Sequence, residues 1–170
     1  MTEIRRATEA DVPIIQNLAE TIWWPTYGPI LSAAQLRYML DTIYSAATIQ
    51  KQIAGGEQIY LLLLDDGQPI GFASYGPRTE NPDIYKLHKL YCLVETKGKG
   101  FGKLLVHAVE KAVAATGKTV LELNVNRHNP AIGFYEKQGF TIAYEEDIAI
   151  GEGYFMNDYV MRKTLVTNKK

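Results

Sequence analysis

The segment Lys97-Gly98-Lys99-Gly100-Phe101-Gly102-Lys103 puts three glycines and three lysines into seven residues, a composition suited to holding phosphate. Glycine lets an anion come close to main-chain N–H donors. A helix starting there adds its unpaired first-turn N–H groups and the positive end of its dipole. Spacing excludes two well-defined phosphate loops. A Walker A loop needs glycine at 97 and serine or threonine at 104, where the chain has Lys97 and Leu104; a dinucleotide fingerprint needs glycine at 103. Taken alone, the segment is either a phosphate loop of another kind or a flexible strand-to-helix connection.

A second segment, Asn129-Pro130-Ala131-Ile132-Gly133-Phe134-Tyr135-Glu136-Lys137-Gln138-Gly139-Phe140, reads as a short helix with a cap residue, proline at its first position and a glycine stop. It carries Tyr135, a phenol able to donate a proton. The single cysteine, Cys92, excludes an internal disulfide and a zinc site built on several cysteines, and no metal is expected.

The elements that must position these residues follow from periodicity and punctuation. Ile4 opens a short strand that stops at Thr8, and apolar residues at helical spacing follow over Ala10 to Trp24, with Pro25 and Gly28 expected to break that helix. Ser32, with Gln35 three residues on, opens a helix to about Tyr44, and a third covers Ala46 to Ile53. Gln58 to Leu64 and Pro69 to Tyr75 form a hairpin around Asp65-Asp66-Gly67-Gln68. Ile84 to Leu93 is a strand that feeds the glycine-rich turn. In the helix beyond, Leu104, Leu105, Ala108, Val109, Ala112 and Val113 share a face. Thr119 to Val125 alternates as a strand, with Leu121, Leu123 and Val125 opposite Glu122 and Asn124. The last strands are placed at about Phe140 to Ile150 and Tyr154 to Leu165.

The two glycine-bearing segments, in this order, resemble the signatures of the GNAT acetyltransferases. Lys97, Gly100 and Gly102 take the places of the pattern Gln or Arg, two residues, Gly, one residue, Gly or Ala, with Lys97 departing at the first position. The second signature is the Ala-Ile helix with Tyr135 and the Gly139-Phe140 exit. The resemblance implies an α/β (α+β) fold with a central mixed, mostly antiparallel sheet of about seven strands flanked by helices. It also implies acetyl-CoA as co-substrate. Lys97, Gly98, Lys99, Gly100, Phe101, Gly102 and Lys103 would hold the diphosphate, and the main chain of Leu90, Tyr91 and Cys92 would pair with the pantetheine arm as an added strand. Asn129 either bonds that arm or only caps its helix.

Acyl transfer from a thioester to an amine needs a deprotonated nucleophile, a polarised carbonyl and a proton for the leaving thiolate. By resemblance Tyr135 is the general acid and the Cys92 N–H the oxyanion donor. Many relatives place glutamate where this chain has Asn124, which cannot take a proton but can hold a water through which His88 acts. Glu122 is the next candidate base, or a solvated strand-surface carboxylate. A covalent intermediate on Cys92 is rejected, because a lone cysteine in an apolar strand is inert packing.

The resemblance places the acceptor pocket near Trp23, Trp24, Tyr27, Tyr38 and Tyr44, with Trp24, Tyr27 and Tyr38 as its expected walls. Glu145, Glu146, Asp147 and Glu152 near the final hairpin either attract a cationic acceptor or are simply solvated. The layout, including Trp24-Pro25-Thr26-Tyr27-Gly28, is similar to bacterial spermidine/spermine N-acetyltransferases of the PaiA type. A polyamine is therefore the first acceptor considered, with an antibiotic, a protein N-terminus and a catalytically weak acetyl-CoA sensor behind it.

The chain has 170 residues with 46% hydrophobic content, enough for one domain over 1–170 with a continuous core. A formal net charge of −1 gives no basic field of the kind nucleic acids require. The longest fully apolar run, Leu61 to Leu64, is far below the roughly 20 residues of a membrane span. Met-Thr-Glu-Ile-Arg-Arg has no apolar signal-peptide region, so the cytoplasm is the expected compartment. The expected partner is a small-molecule amine, with neither nucleic acid nor membrane, and the resemblance leaves a homodimer through outer strands open.

Overall fold

Thr8 ends the first strand, β1 (Thr2–Arg6), and opens a 3-10 turn over Glu9–Asp11 through a capping box. Asp11 Oδ2 accepts from the Thr8 main-chain N–H at 2.8 Å, and the Arg5 guanidinium grips the same carboxylate through two bonds of 2.9 Å. Those Arg5 bonds hold the Asp11 carboxyl down at about 2. These details come from a computed structural model, which describes residues 1–165.

Helix α1 (Val12–Tyr27) runs through Pro25 and does not stop at Trp24 as expected. Pro25 lies in the last turn, where the one carbonyl it deprives is that of Thr21, an exposed residue whose oxygen can turn to water. Ser32 caps α2 (Ala33–Ile43) by accepting from Gln35 N–H at 3.1 Å, and Ser45 caps α3 (Ala46–Gly55) by accepting from Thr48 N–H at 3.1 Å. The hairpin of β2 (Ile59–Asp65) and β3 (Gln68–Pro77) turns at Asp66 and Gly67, both at positive φ. There follow β4 (Ile84–Cys92), a 3-10 turn (Val94–Thr96), α4 (Phe101–Ala115), β5 (Val120–Asn126), α5 (Ala131–Lys137), β6 (Thr141–Gly151) and β7 (Tyr154–Thr164).

The seven strands lie in the order β1-β2-β3-β4-β5-β7-β6. β4 and β5 pair in parallel from Ile84↔Val120 to Leu87↔Leu123; the β1–β2, β2–β3, β5–β7 and β6–β7 pairs are antiparallel. This is the expected mixed and mostly antiparallel sheet flanked by helices. Its connections follow from composition: the β6–β7 hairpin closes through Gly151-Glu152-Gly153, all three at positive φ.

By its internal contacts the chain divides into two compact units. The first comprises Met1–Gly76 and His88–Val109, and its core holds Ile15, Ile22, Trp23, Leu36, Tyr60, Leu62, Phe72 and Leu105. The second comprises Pro77–Leu87 and the chain from Glu110 on, with Leu87, Val113, Leu121, Leu123, Val125, Phe140, Val160 and Met161 buried. The single domain expected over 1–170 includes residues 166–170, which lie outside the described residues. No helix among the described residues is long and apolar enough to cross a membrane.

Candidate active site

In the first unit β4 delivers the chain through the Val94–Thr96 turn to Lys97–Gly100 and then into α4. Thr96 N–H donates to Leu93 O at 2.9 Å, Lys97 N–H to Val94 O at 3.0 Å and Lys99 N–H to Thr96 O at 3.2 Å. Leu104 N–H donates to Gly100 O at 3.2 Å, the first turn of the α4 ladder. The N–H groups from Gly100 to Lys103 therefore precede that ladder and are the donors a helix start leaves over. Gly98 and Gly100 adopt φ of +86° and +80°, a region that costs other L-residues strain. A Cβ at either would meet no protein atom within 4 Å, so within the protein these glycines are required by backbone conformation. Lys97, Lys99 and Lys103 are exposed; Phe101 and Gly102 are half-buried.

The end of β4 is shaped by β3. Leu93 N–H donates to Ile70 O at 2.8 Å, and a Cβ on Gly71 would lie 2.8 Å from Tyr91 O and 3.0 Å from Cys92 Sγ. Only glycine lets β3 approach there. Tyr91 joins an aromatic cluster with Trp23, Tyr27, Tyr44 and Phe72. Trp23 and Tyr27 rings lie 4.8 Å apart, Tyr91 and Phe72 5.7 Å apart, and the Tyr27 and Tyr91 hydroxyls are hydrogen-bonded at 2.9 Å. Trp23, Tyr27 and Tyr44 are thus buried core residues, whereas Trp24 and Tyr38 are half-buried, with Arg37 over the Trp24 ring at 5.9 Å. Burial pushes the Cys92 thiol up to about 11, which keeps it protonated at neutral pH. His88 and Leu90 lie half-buried on β4.

Sequence reasoning missed Lys89, a buried lysine on β4. Its ammonium donates to Gln58 Oε1 at 2.9 Å and stands 5.3 Å over the Tyr60 ring and 5.7 Å over that of Tyr44. Ser74 Oγ donates to the same Gln58 oxygen at 2.7 Å. A lysine between His88 and Leu90 in a predicted strand was the available signal.

The second unit carries the other expected residues. Asn129 Oδ1 accepts from Ala131 N–H at 2.8 Å, so Asn129 does cap, although α5 begins at Ala131, one residue later than Pro130 suggests. Tyr135 is buried on α5, its ring 5.3 Å from Phe134 and 5.9 Å from Phe140. Gly139, at φ +97°, ends the helix as expected.

On β5, Glu122 is not a solvated carboxylate. It is 1% exposed and held by Arg78 at 2.6 Å and by Arg162, whose Nε donates at 2.6 Å. Two guanidiniums occupy its oxygens, which removes it as a base. Asn124 Nδ2 donates to Glu146 Oε1 at 3.0 Å and to Asp158 Oδ2 at 3.2 Å. Asp158 is buried, and burial raises its carboxyl pKa above the ordinary carboxylate value. The sequence reading overlooked it, although an acid two residues before the Val160-Met161 pair in a predicted strand was visible. Glu145 and Asp147 pair with Arg127 at 3.4 and 2.7 Å; with Glu146 they stand mid-strand on β6, while Glu152 lies in the hairpin turn.

The Acetyltransferase (GNAT) family pattern matches residues 17–140, more than half of the chain. The chain belongs to this family. A GNAT fold also recurs in the PaiA N-acetyltransferase of Thermoplasma acidophilum solved in complex with coenzyme A, with a TM-score of 0.83 at 25% identity over 96% of this chain and 99% of that one. A spermidine N(1)-acetyltransferase of Thermoplasma acidophilum is 26% identical over 145 residues, 82% of this chain and 88% of its own. The probable N-acetyltransferase Rv2775 of Mycobacterium tuberculosis is 27% identical over 145 residues, 82% and 79% of the two chains.

Acetyl-CoA fits this GNAT chain as co-substrate. The open, positive-φ glycines ahead of α4 leave room over main-chain donors for a diphosphate, and three exposed lysines flank them. No group of three or more His, Cys, Asp or Glu able to hold a metal occurs among the described residues.

Proposed function

We propose that this GNAT protein transfers acetyl from acetyl-CoA to a small primary amine, with a polyamine as the first acceptor. The observation that carries the reading is the turn at Gly98 and Gly100, whose backbone opens onto the leftover N–H groups of α4. The layout shared with the coenzyme A-bound PaiA structure, and the similarity to a spermidine N(1)-acetyltransferase, support the choice of acceptor.

When bound, acetyl-CoA supplies an activated thioester. In this reading Gly98 and the N–H groups from Gly100 to Lys103 hold the diphosphate, with Lys97, Lys99 and Lys103 supplying charge. The main chain of Leu90, Tyr91 and Cys92 pairs with the pantetheine amides, and β3 braces it through Gly71. The Cys92 N–H stabilises negative charge on the acetyl oxygen, and Tyr135 gives a proton to the departing thiolate. His88 is the group that takes the proton of the amine. Asn129 caps α5 at the pantetheine side, and Trp24 and Tyr38 belong to the acceptor side. The protein acts as one cytoplasmic domain, alone or as a homodimer.

A panel of amines with acetyl-CoA, read as free coenzyme A thiol and acetylated amine, tests this. Release of thiol only when an amine is present supports the reading. Coenzyme A binding without turnover of any amine would instead make the chain a sensor.

A further inference from the structure

One face of the second unit's sheet carries polar atoms that the roles above leave unused. Glu146 on β6 and Asp158 on β7 are direct cross-strand partners, a position in which like charges repel. Both accept from the same Asn124 amide, at 3.0 and 3.2 Å. Those bonds occupy the two N–H groups of Asn124 and fix which way its amide points. Asn124 Oδ1 and Asp158 Oδ1 are left buried with no hydrogen-bond partner among the described residues, and Asp158 is 4% exposed. Two acceptors without a donor, beside two carboxylates, are costly unless something bearing several donors and positive charge binds there.

The neighbouring cations do not fill that need. Arg78 and Arg162 are committed to Glu122. Arg127 goes to Glu145, Asp147 and the Asp158 main-chain oxygen, leaving the Asp158 side chain. Lys86 on β4 is attracted by both carboxylates, yet forms no ion pair within 4.0 Å among the described residues; burial lowers its pKa, and Arg78 adds to that. A primary ammonium has three donors, one positive charge and no acceptor, which matches the deficit. Glu146 is half-buried, so the cluster meets solvent at its β6 end.

We propose that Asn124, Glu146 and Asp158 form a subsite that holds a primary ammonium group of the amine acceptor. This rests on the acetyltransferase reading above and names the groups that would recognise its cationic substrate. No bond is made or broken at the subsite. In an acceptor with several ammonium groups it anchors one of them, and Lys86 is the internal cation that competes for the same carboxylates.

The test titrates spermidine and hexylamine into the full chain saturated with coenzyme A, by calorimetry, and measures turnover of the same amines with acetyl-CoA. D158N and E146Q should each weaken spermidine binding at least tenfold and raise its KM in step, with coenzyme A affinity within twofold of wild type. K86M should tighten spermidine at least threefold. Glu146 is half-buried, so E146Q keeps the test valid if D158N fails to fold. Spermidine affinity unchanged in both acid variants, or no binding of either amine to wild type, overturns the subsite. Amine binding that depends on Asp158 without any turnover would keep the subsite and sink the enzymatic reading.

Discussion

Gly100 offers a quantitative test of how the loop works, because conformation and space can be separated there. Its φ of +80° would strain any other L-residue, while a Cβ would meet nothing within 4 Å. Alanine in that region costs about 1 kcal/mol and valine about 2, and asparagine, which visits it more readily, costs a fraction of that. The residue is exposed and packs on nothing, so the variants escape the strain by relaxing the free loop, and the cost reappears when a diphosphate must pull the turn back. At about 1.4 kcal/mol per tenfold, coenzyme A affinity should fall roughly fivefold for G100A, about thirtyfold for G100V and less than about threefold for G100N. Calorimetric titration with coenzyme A measures this, with thermal unfolding showing that all three variants stay folded. If G100N binds worse than G100A, bulk and not backbone conformation governs the site, and the reasoning fails. Equal affinity in all three would remove the loop from the site altogether.

Three further outcomes follow from the side chains. Y135F should lower turnover by about 10² through loss of the proton donor while coenzyme A affinity stays within twofold; parallel losses in both would mean that Tyr135 only packs. C92A should retain most activity, since burial holds the thiol at about 11, and wild type should react slowly with iodoacetamide at pH 7. Full inactivation of C92A would contradict this. D158N should stabilise the fold at neutral pH. Burial raises the Asp158 pKa, so the native state binds the proton more tightly than the unfolded chain, and stability declines as pH climbs through that raised value. Relief of the opposed Glu146–Asp158 charges is worth up to about 1 kcal/mol, or about 2–4 °C in Tm. The gain should vanish below the ordinary carboxylate range; a gain of the same size at pH 3 would assign it to packing instead.

The order of elements was legible because punctuation was strong: Ser32 caps where the pattern demanded, Asp66-Gly67 turns a hairpin, and Gly139 stops α5. Pro25 misled because a proline in a last turn removes only one solvent-facing bond, which composition does not reveal. The glycine-rich loop was readable, but that Gly98 and Gly100 sit at positive φ was not. Side-chain roles on the sheet were less visible. Glu122 looked solvated because its two arginine partners stand 44 and 40 residues away along the chain. Asp158 was hidden for the same reason, since its opposition to Glu146 and its bond to Asn124 arise from strand register. Tyr27 was read as a pocket wall, yet its hydroxyl pairs with Tyr91, 64 residues on, inside an aromatic core.

Calorimetry comparing coenzyme A with pantetheine, the same thiol arm without the diphosphate and the nucleoside 3′-phosphate beyond it, probes the central claim most directly. Two charge-assisted bonds from the amides ahead of α4 amount to about 3 kcal/mol, so pantetheine should bind at least about 10²-fold more weakly than coenzyme A, which should bind one to one. Equal affinity for the two, or no association with coenzyme A, would contradict the account.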